Sequence, residues 1–410
     1  MKPLIGVLFA FLLSSLSVVT FIPAIWSTGD DLTSIERQIS SYESSLDTSK
    51  ATTIAQASFE FRLNTVGFSA SYQSIFNTWS FSNTQNGIQV KWKDVNVGFT
   101  LNNNSVPVRN IVVSLDPYLT RVTSISNQEI TRNGAVKPLC NSPLRNSSGI
   151  PQPQNFCGPP PCGSLSGPSP NWAGFELAGS SSCSWRTVPV YEAKATWQVP
   201  YANQPSPGAC FNRWCAITVW PGLVSYQGGR PTGLMQAGTF SGIYTSPNQP
   251  YYYAWYQTPG MTNSIYCLWG PMSYGDTVTV DIVNQARDGG NAALYNMFIV
   301  DNTINQACSV PANQSSGAMG TPYFADFIVE RPTYCDSWGS CSYVRLPYFQ
   351  NFAMTGWMYY SGALQSIATP VSNQWYQSYI MNNGGWDNVH VGYDLSTSHI
   401  LPSWLTSAGT

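Results

Sequence analysis

Between residues 171 and 396 the chain alternates apolar and polar positions in short runs set off by turn residues. Ala193-Lys194-Ala195-Thr196-Trp197-Gln198-Val199 and Thr277-Val278-Thr279-Val280-Asp281-Ile282-Val283 are two such runs, and residues 324–329 form another. A period of two, many short runs and no long helical repeat predict an all-β sandwich or barrel. Residues 59–130 carry the same period. Ile88-Gln89-Val90-Lys91-Trp92 and Val95-Asn96-Val97-Gly98-Phe99 alternate cleanly, Asn102-Asn103-Asn104-Ser105 makes a turn, and a strand resumes at Val106. These residues predict a small β-rich domain without cysteine. Helical spacing is confined to residues 31–57, where Ile35, Ile39, Tyr42 and Leu46 recur at four, three and four. They make one apolar stripe, with Asp30, Asp31 and Glu36 early, where the helix dipole favours acids.

The segments between these blocks divide the chain. Residues 1–27 hold Lys2 ahead of a mostly apolar stretch, which fits a secretory signal. The stretch reaches roughly 20 residues, enough to cross a bilayer, so an uncleaved membrane anchor with Lys2 inside is the alternative. Pro23-Ala24-Ile25-Trp26-Ser27 is a poor small-residue cleavage site. Both readings place the remainder outside the cell. Residues 28–136 are then a propeptide or an accessory stalk, residues 137–170 a Pro/Gly/Ser/Cys-rich linker, 171–396 the main β unit, and 397–410 a tail.

Composition narrows the partners. A net charge of −2 over 410 residues gives no electrostatic footprint for nucleic acid. Charged residues are only 9% of the chain, so few carboxylates exist whose protonation would unfold it in acid. The ten cysteines are even in number and the chain reads as exported, so disulfides are expected. The spacings Cys157/Cys162, Cys210/Cys215 and Cys335/Cys341 suggest short loops. None is a CxxC pattern, and only His390 and His399 exist to supplement them, so no metal site is expected. No cofactor motif is present either.

Several hydrolytic chemistries lack their residues. There is no HExxH, no Asp-Thr/Ser-Gly pair and no GxSxG elbow. His390 lies between valines, the setting of a structural strand residue. Glu330 differs from these, because it closes the apolar run Ala325-Asp326-Phe327-Ile328-Val329-Glu330, where a carboxylate is costly unless paired or used. In a strand Asp326 and Glu330 share a face about 13 Å apart, too far to share a proton. Glu330 therefore needs a different partner.

Five segments occur in order: Asn171-Trp172-Ala173-Gly174, Ala195-Thr196-Trp197-Gln198-Val199-Pro200, Leu234-Met235-Gln236-Ala237-Gly238, Tyr253-Ala254-Trp255-Tyr256 and Ala325 to Glu330. Together they resemble the glutamic peptidases, or eqolisins, over roughly residues 171–396. The resemblance implies two large antiparallel sheets packed as a concanavalin A-like sandwich, a Gln236/Glu330 catalytic dyad, and polypeptide substrates. It also implies a disulfide loop at Cys335–Cys341. Trp172, Trp220, Trp255 and Tyr256 stand where aromatics line the substrate cleft, although each also suits a core. Where family members often carry acids, this chain has Val224 and Gln257.

The function expected is an exported acid endopeptidase. Two other classes compete. A carbohydrate-active or carbohydrate-binding sandwich would need two acids about 5–9 Å apart across a cleft, and no closely spaced acidic motif in 171–396 offers them. A non-catalytic surface protein on the same scaffold would leave Glu330 idle. Sequons at Asn103, Asn146 and Asn313 allow glycosylation.

Overall fold

The computed structural model describes residues 29–132 except 86, and 165–406 except 180–187, 205–209, 211–214, 228–229, 244–248, 260, 262, 268–271, 312–318, 336–340, 368–375, 384–385 and 395–398. The N-terminal apolar segment, most of the 137–170 linker, and the Cys157/Cys162 spacing lie outside the described residues.

The strands form two leaves around one core. The front leaf runs in the order Trp172–Ala178, Pro322–Glu330, Cys215–Gln227, Arg230–Ile243, Pro250–Gln257, Ile265–Tyr266, all antiparallel. The back leaf runs Met354–Tyr360, Glu192–Gln198, Thr277–Asn284, Tyr295–Asp301, Gln306–Val310. Alternation sends Ala325, Phe327 and Val329 from the front and Val278, Val280 and Ile282 from the back into one apolar cluster. This is the period of two at work, since every second residue faces the opposite leaf. At one edge Tyr376–Asn383, Trp386–Asp394 and His399–Thr406 connect the leaves, so the hydrogen bonding is continuous around that edge. His399–Thr406 falls where the sequence suggests a tail. It forms a strand because its register satisfies the free edge of Trp386–Asp394.

The N-terminal β residues do not stand apart. The strand Ser69–Thr84 pairs antiparallel with Gln306–Val310, and Gly87–Asn103, Val106–Leu115 and Val122–Gln128 follow it in turn. Four strands thus extend the back leaf. The turn into Val106–Leu115 is made by Asn104 and Ser105, both at positive φ (49° and 69°), which suits Asn in a tight hairpin. Beyond this leaf Thr131–Arg132 pairs with Thr333–Cys335, carrying the N-terminal chain to the end of the Glu330 strand.

Residues 31–57 form two helices, Gly29–Glu43 and Thr48–Ala57, instead of one. Asp47 breaks the run: it takes an extended backbone, and its carboxylate accepts the Lys50 N–H at 2.8 Å. An N-cap of this type stabilises a new start by about 1 kcal/mol. The apolar stripe divides accordingly. Ile35 and Ile39 pack on Trp79, Phe298 and Val300 on the outer side of the back leaf, while Leu46 joins the cluster around Val97 and Ile111.

The disulfides Cys210–Cys215 and Cys335–Cys341 close short loops as the spacings suggest. Cys267–Cys308 has no local spacing to announce it, and it ties the end of the front leaf to the back leaf.

The first helix docks with a buried acid. Glu43 accepts hydrogen bonds from Asn77 Nδ2 (2.7 Å) and from the Ser309 hydroxyl. Burial, partly opposed by those two donors, pushes its carboxyl up to about 7. A folded-state value above the ordinary one favours the protonated form in the fold. The resulting stabilisation is complete below the ordinary carboxylate range and disappears as pH rises through about 7. Thermal unfolding is expected at a lower Tm at pH 8 than at pH 4.5, with a smaller difference in Glu43→Gln. An unchanged difference in the variant would show that Glu43 carries none of it.

Candidate active site

The register of the front leaf lays out its outer face in rows. One row is Trp172, Glu330, Thr218, Phe240 and Tyr253. The next is Gly174, Ile328, Trp220, Gly238 and Trp255. The third is Glu176, Asp326, Gly222, Gln236 and Gln257. Trp172, Trp220, Trp255, Phe240 and Ile328 form an apolar cluster on this face.

Glu330 is fully buried. Its carboxylate meets two N–H donors, Trp220 Nε1 at 2.8 Å on Oε2 and Asn171 Nδ2 at 3.2 Å on Oε1. Arg331 follows directly, buried, with Nε donating to the Val344 carbonyl at 2.9 Å and its guanidinium over the Tyr343 ring. These contacts fix the end of the strand and hence the carboxylate.

Gln236 is buried on the same face. Its Nε2 donates to Gln257 Oε1 over a long 3.4 Å, while its Oε1 has no hydrogen-bond partner among the described residues. A buried, unmet carbonyl oxygen costs about 1–3 kcal/mol, which a purely structural glutamine has no reason to bear. The register does not set Gln236 beside Glu330. They are four residues apart along the strands and two strands apart across, about 16 Å between Cα atoms in a flat sheet. Trp220 occupies the midpoint of that diagonal. Its indole N–H donates to the Glu330 carboxylate.

Glycine keeps the diagonal's floor open. A Cβ on Gly238 would lie 2.0 Å from the Val219 carbonyl and 2.7 Å from Trp220 Cβ, and one on Gly222 would lie 3.0 Å from the Trp220 ring.

The aromatic candidates separate. Trp172, Trp220 and Trp255 share the Glu330 face, with Trp172 and Trp220 edge to face at 5.2 Å. Tyr256 points the other way into the core between the leaves, where its hydroxyl meets Ser74 Oγ at 2.6 Å. One residue of strand alternation separates it from Trp255.

Sequence reasoning missed three features. Asn171 and Trp220 as ligands of Glu330 lie 159 and 110 residues away in sequence, so no local spacing could reveal them. Glu176 and Asp326 face each other directly across adjacent strands, both buried, an acidic pair hidden by its long sequence separation. Gln257 reaches Gln236 only through the pairing of their strands. Among the described residues no group of acids, histidines and cysteines is placed to hold a metal. His390 and His399 lie in strands at the connecting edge.

The structure thus sets a buried, donor-bound glutamate and a buried glutamine on one face of a two-leaf β-sandwich. Residues 170–382, just over half of the chain, match the Peptidase A4 family, and the chain belongs to that family. It is a glutamic-type endopeptidase, a hydrolase acting on polypeptides. Among solved structures it is similar to scytalido-glutamic peptidase in complex with a peptide-based transition state analog. That match has 22% identity, covers 58% of this chain and 99% of that one, and has a TM-score of 0.41. It is also similar to SCP-B, a member of the eqolisin family in complex with the tripeptide Ala-Ile-His (21% identity, 58% and 99% coverage, TM-score 0.40). No curated protein matches the chain.

Gly238→Ala tests the packing of this floor. The forced contact with the Val219 carbonyl is expected to destabilise the fold on the order of 2 kcal/mol in denaturant unfolding. A loss under about 0.5 kcal/mol would show that the two strands part easily.

Proposed function

We propose that the chain is an exported, acid-acting endopeptidase in which Glu330 is the general base and Gln236 stabilises the oxyanion. The observation that carries this is the buried Glu330 carboxylate met by two N–H donors. Each donor favours the ionised form, in which Glu330 can accept a proton. Its partner is the glutamine two rows away on the same face.

The chemistry follows from the two side chains. A water lying along the diagonal gives a proton to Glu330 as its oxygen attacks the peptide carbonyl carbon. As the C=O bond becomes a C–O single bond, negative charge collects on the carbonyl oxygen, and an N–H of Gln236 donates to it. A neutral donor stabilises that charge without neutralising the base. Glu330 then returns the proton to the nitrogen, the C–N bond breaks, and an acid and an amine leave. The unmet Oε1 of Gln236 supports the reading as a further acceptor for the water. Trp172 and Trp255 share this face, buried in one apolar cluster with Trp220.

Three described disulfides suit an oxidising, extracellular compartment. The apolar segment ahead of the helices supports export, as a signal or as an anchor.

Protein digestion across pH, comparing wild type with variants, tests the assignment. Glu330→Gln is expected to lower kcat at least about a hundredfold, the range of a lost general base. Gln236→Ala is expected to lose about 10²–10³-fold, as for a lost oxyanion donor. Full activity in both variants would overturn the site. Absence of acid cleavage by wild type would overturn the activity. Trp220→Phe removes a donor from the Glu330 carboxylate and so raises its pKa. The acid limb of the kcat/KM profile should move to higher pH, and an unmoved limb would mean that this indole does not tune the base.

A further inference from the structure

The segment that holds Gln236 in place is itself held by the N-terminal half of the chain. Gln236 Nε2 donates to Gln257 Oε1, and Ser264 Oγ donates to the same oxygen at 3.2 Å. The carbonyl of Ser264 accepts from Asn110 Nδ2 at 3.0 Å, and Asn110 Oδ1 accepts from the Thr100 hydroxyl at 2.8 Å. Thr100 Oγ1 also receives Asn263 Nδ2 at 3.5 Å. Thr100, Asn110, Asn263 and Ser264 are all buried. A continuous polar network therefore runs from the strands Gly87–Asn103 and Val106–Leu115 to Gln236.

Four further contacts grip the same segment. Ser74 Oγ meets the Tyr256 hydroxyl, and Phe76 packs edge-on against the Tyr256 ring at 5.5 Å. Gln128 holds Tyr266 from both sides of its backbone, donating to the carbonyl at 2.9 Å and accepting the N–H at 3.0 Å. Ile265 fits against Gly98, where its Cδ1 would lie 3.4 Å from an added Cβ. The following Cys267 is tied to Cys308, which lies in the strand that Ser69–Thr84 pairs with. Each of the four N-terminal strands contributes at least one of these contacts.

Building on the dyad proposed above, we infer that residues 69–128 are a permanent positioning element for Gln236, with Asn110 and Ser264 as the positioning residues. A segment gripped by four strands has few conformations, and a side chain hung from it inherits that order. An unheld Gln257–Tyr266 segment would let Gln236 swing, and misplacing an oxyanion donor by about 1 Å costs up to a hundredfold in rate. This gives the N-terminal half a role opposite in sign to that of a propeptide. A propeptide lowers activity while it remains, whereas a positioning element lowers activity when it is weakened.

The test uses the full chain carrying Asn110→Ala or, separately, Ser264→Ala, which removes only the hydroxyl facing Gln257. Steady-state cleavage of a peptide at acid pH is expected to show kcat down about tenfold with KM within about twofold. A kcat equal to or above wild type in Ser264→Ala would overturn the inference, and a rise would assign an inhibitory role instead. Amide hydrogen exchange provides a second readout that does not need catalysis. Residues 256–266 should exchange faster in Asn110→Ala while the Thr277–Asn284 strand keeps its protection, and unchanged exchange at 256–266 would also overturn the inference. If wild type cleaves nothing, the dyad assignment fails, and the exchange result still decides whether the N-terminal strands order this segment.

Discussion

A carboxylate with no exposed surface survives in a sheet face only if hydrogen-bond donors replace the water it has lost. At Glu330 those donors are an indole N–H and a carboxamide N–H, and the geometry around the site answers to them. Asn171 must precede the Trp172–Ala178 strand closely enough to turn back on Glu330, and Ser169 helps by accepting the Trp172 N–H at 3.0 Å. Trp220 must sit one strand over and one row along, which sets the register of Cys215–Gln227 against Pro322–Glu330. Gly238 on the adjacent strand and Gly222 on the same strand then make room for Trp220. An ion left without such donors would cost several kcal/mol, more than most single interactions in the fold return. The fold around Glu330 is therefore specific before any substrate is considered.

Ionisable groups elsewhere follow the same rule with a different outcome. At the first helix Glu36 approaches Asp281 and Glu192, with Lys194 and Arg287 as the opposing charges. Burial, and then the Asp281 charge, raises the Glu36 carboxyl well above its usual range. Burial also raises Glu192 to about 8, although Arg287 counteracts it. Arg287 also pairs with Asp288 at 2.8 Å, so Glu36, Glu192, Asp281 and Asp288 share Lys194 and Arg287, and burial favours the protonated forms of Glu36 and Glu192. The low charge content leaves few repulsive pairs to develop as carboxylates titrate.

Alternation made most of the sandwich legible in the sequence, because a period of two is a local property. Ile88 to Trp92, residues 324–329 and the Asn104 turn all appear where their patterns place them. The single-helix expectation missed the cap at Asp47, since Asp suits a helix start as well as an exposed face. The merging of residues 59–130 with the back leaf was illegible for a physical reason. Whether an edge strand ends a domain or pairs onward depends on a partner, here Gln306–Val310, more than two hundred residues away. At the site, Glu330 is legible because a polar residue in an apolar run is a local anomaly, and Gln236 because its segment takes its place in the order of motifs. Their ligands are not, because Asn171, Trp220 and Gln257 become neighbours only through register. Tyr256 shows the same limit from the other side, since its place beside Trp255 in sequence puts it on the opposite face.

The two departures from the family's acidic pattern have different physical origins. Val224 is buried among Ala178, Phe324 and Leu234, an apolar corner. An ionised residue there would carry a desolvation penalty, so the environment and the side chain agree. Gln257 is a different case. Its Oε1 accepts from both Gln236 and Ser264, as a carboxylate would, but its Nε2 also donates to the Met261 carbonyl at 3.4 Å, which an ionised carboxylate cannot do. A neutral carboxamide therefore reaches the Met261 carbonyl with its N–H while its oxygen meets Gln236. It adds no titrating group beside Gln236, so the hydrogen bonds that orient Gln236 do not depend on the charge of a carboxylate at this position. Glu330 is an ionisable group, whereas the network around Gln236 is built of neutral side chains, two of them, Thr100 and Asn110, from the N-terminal strands.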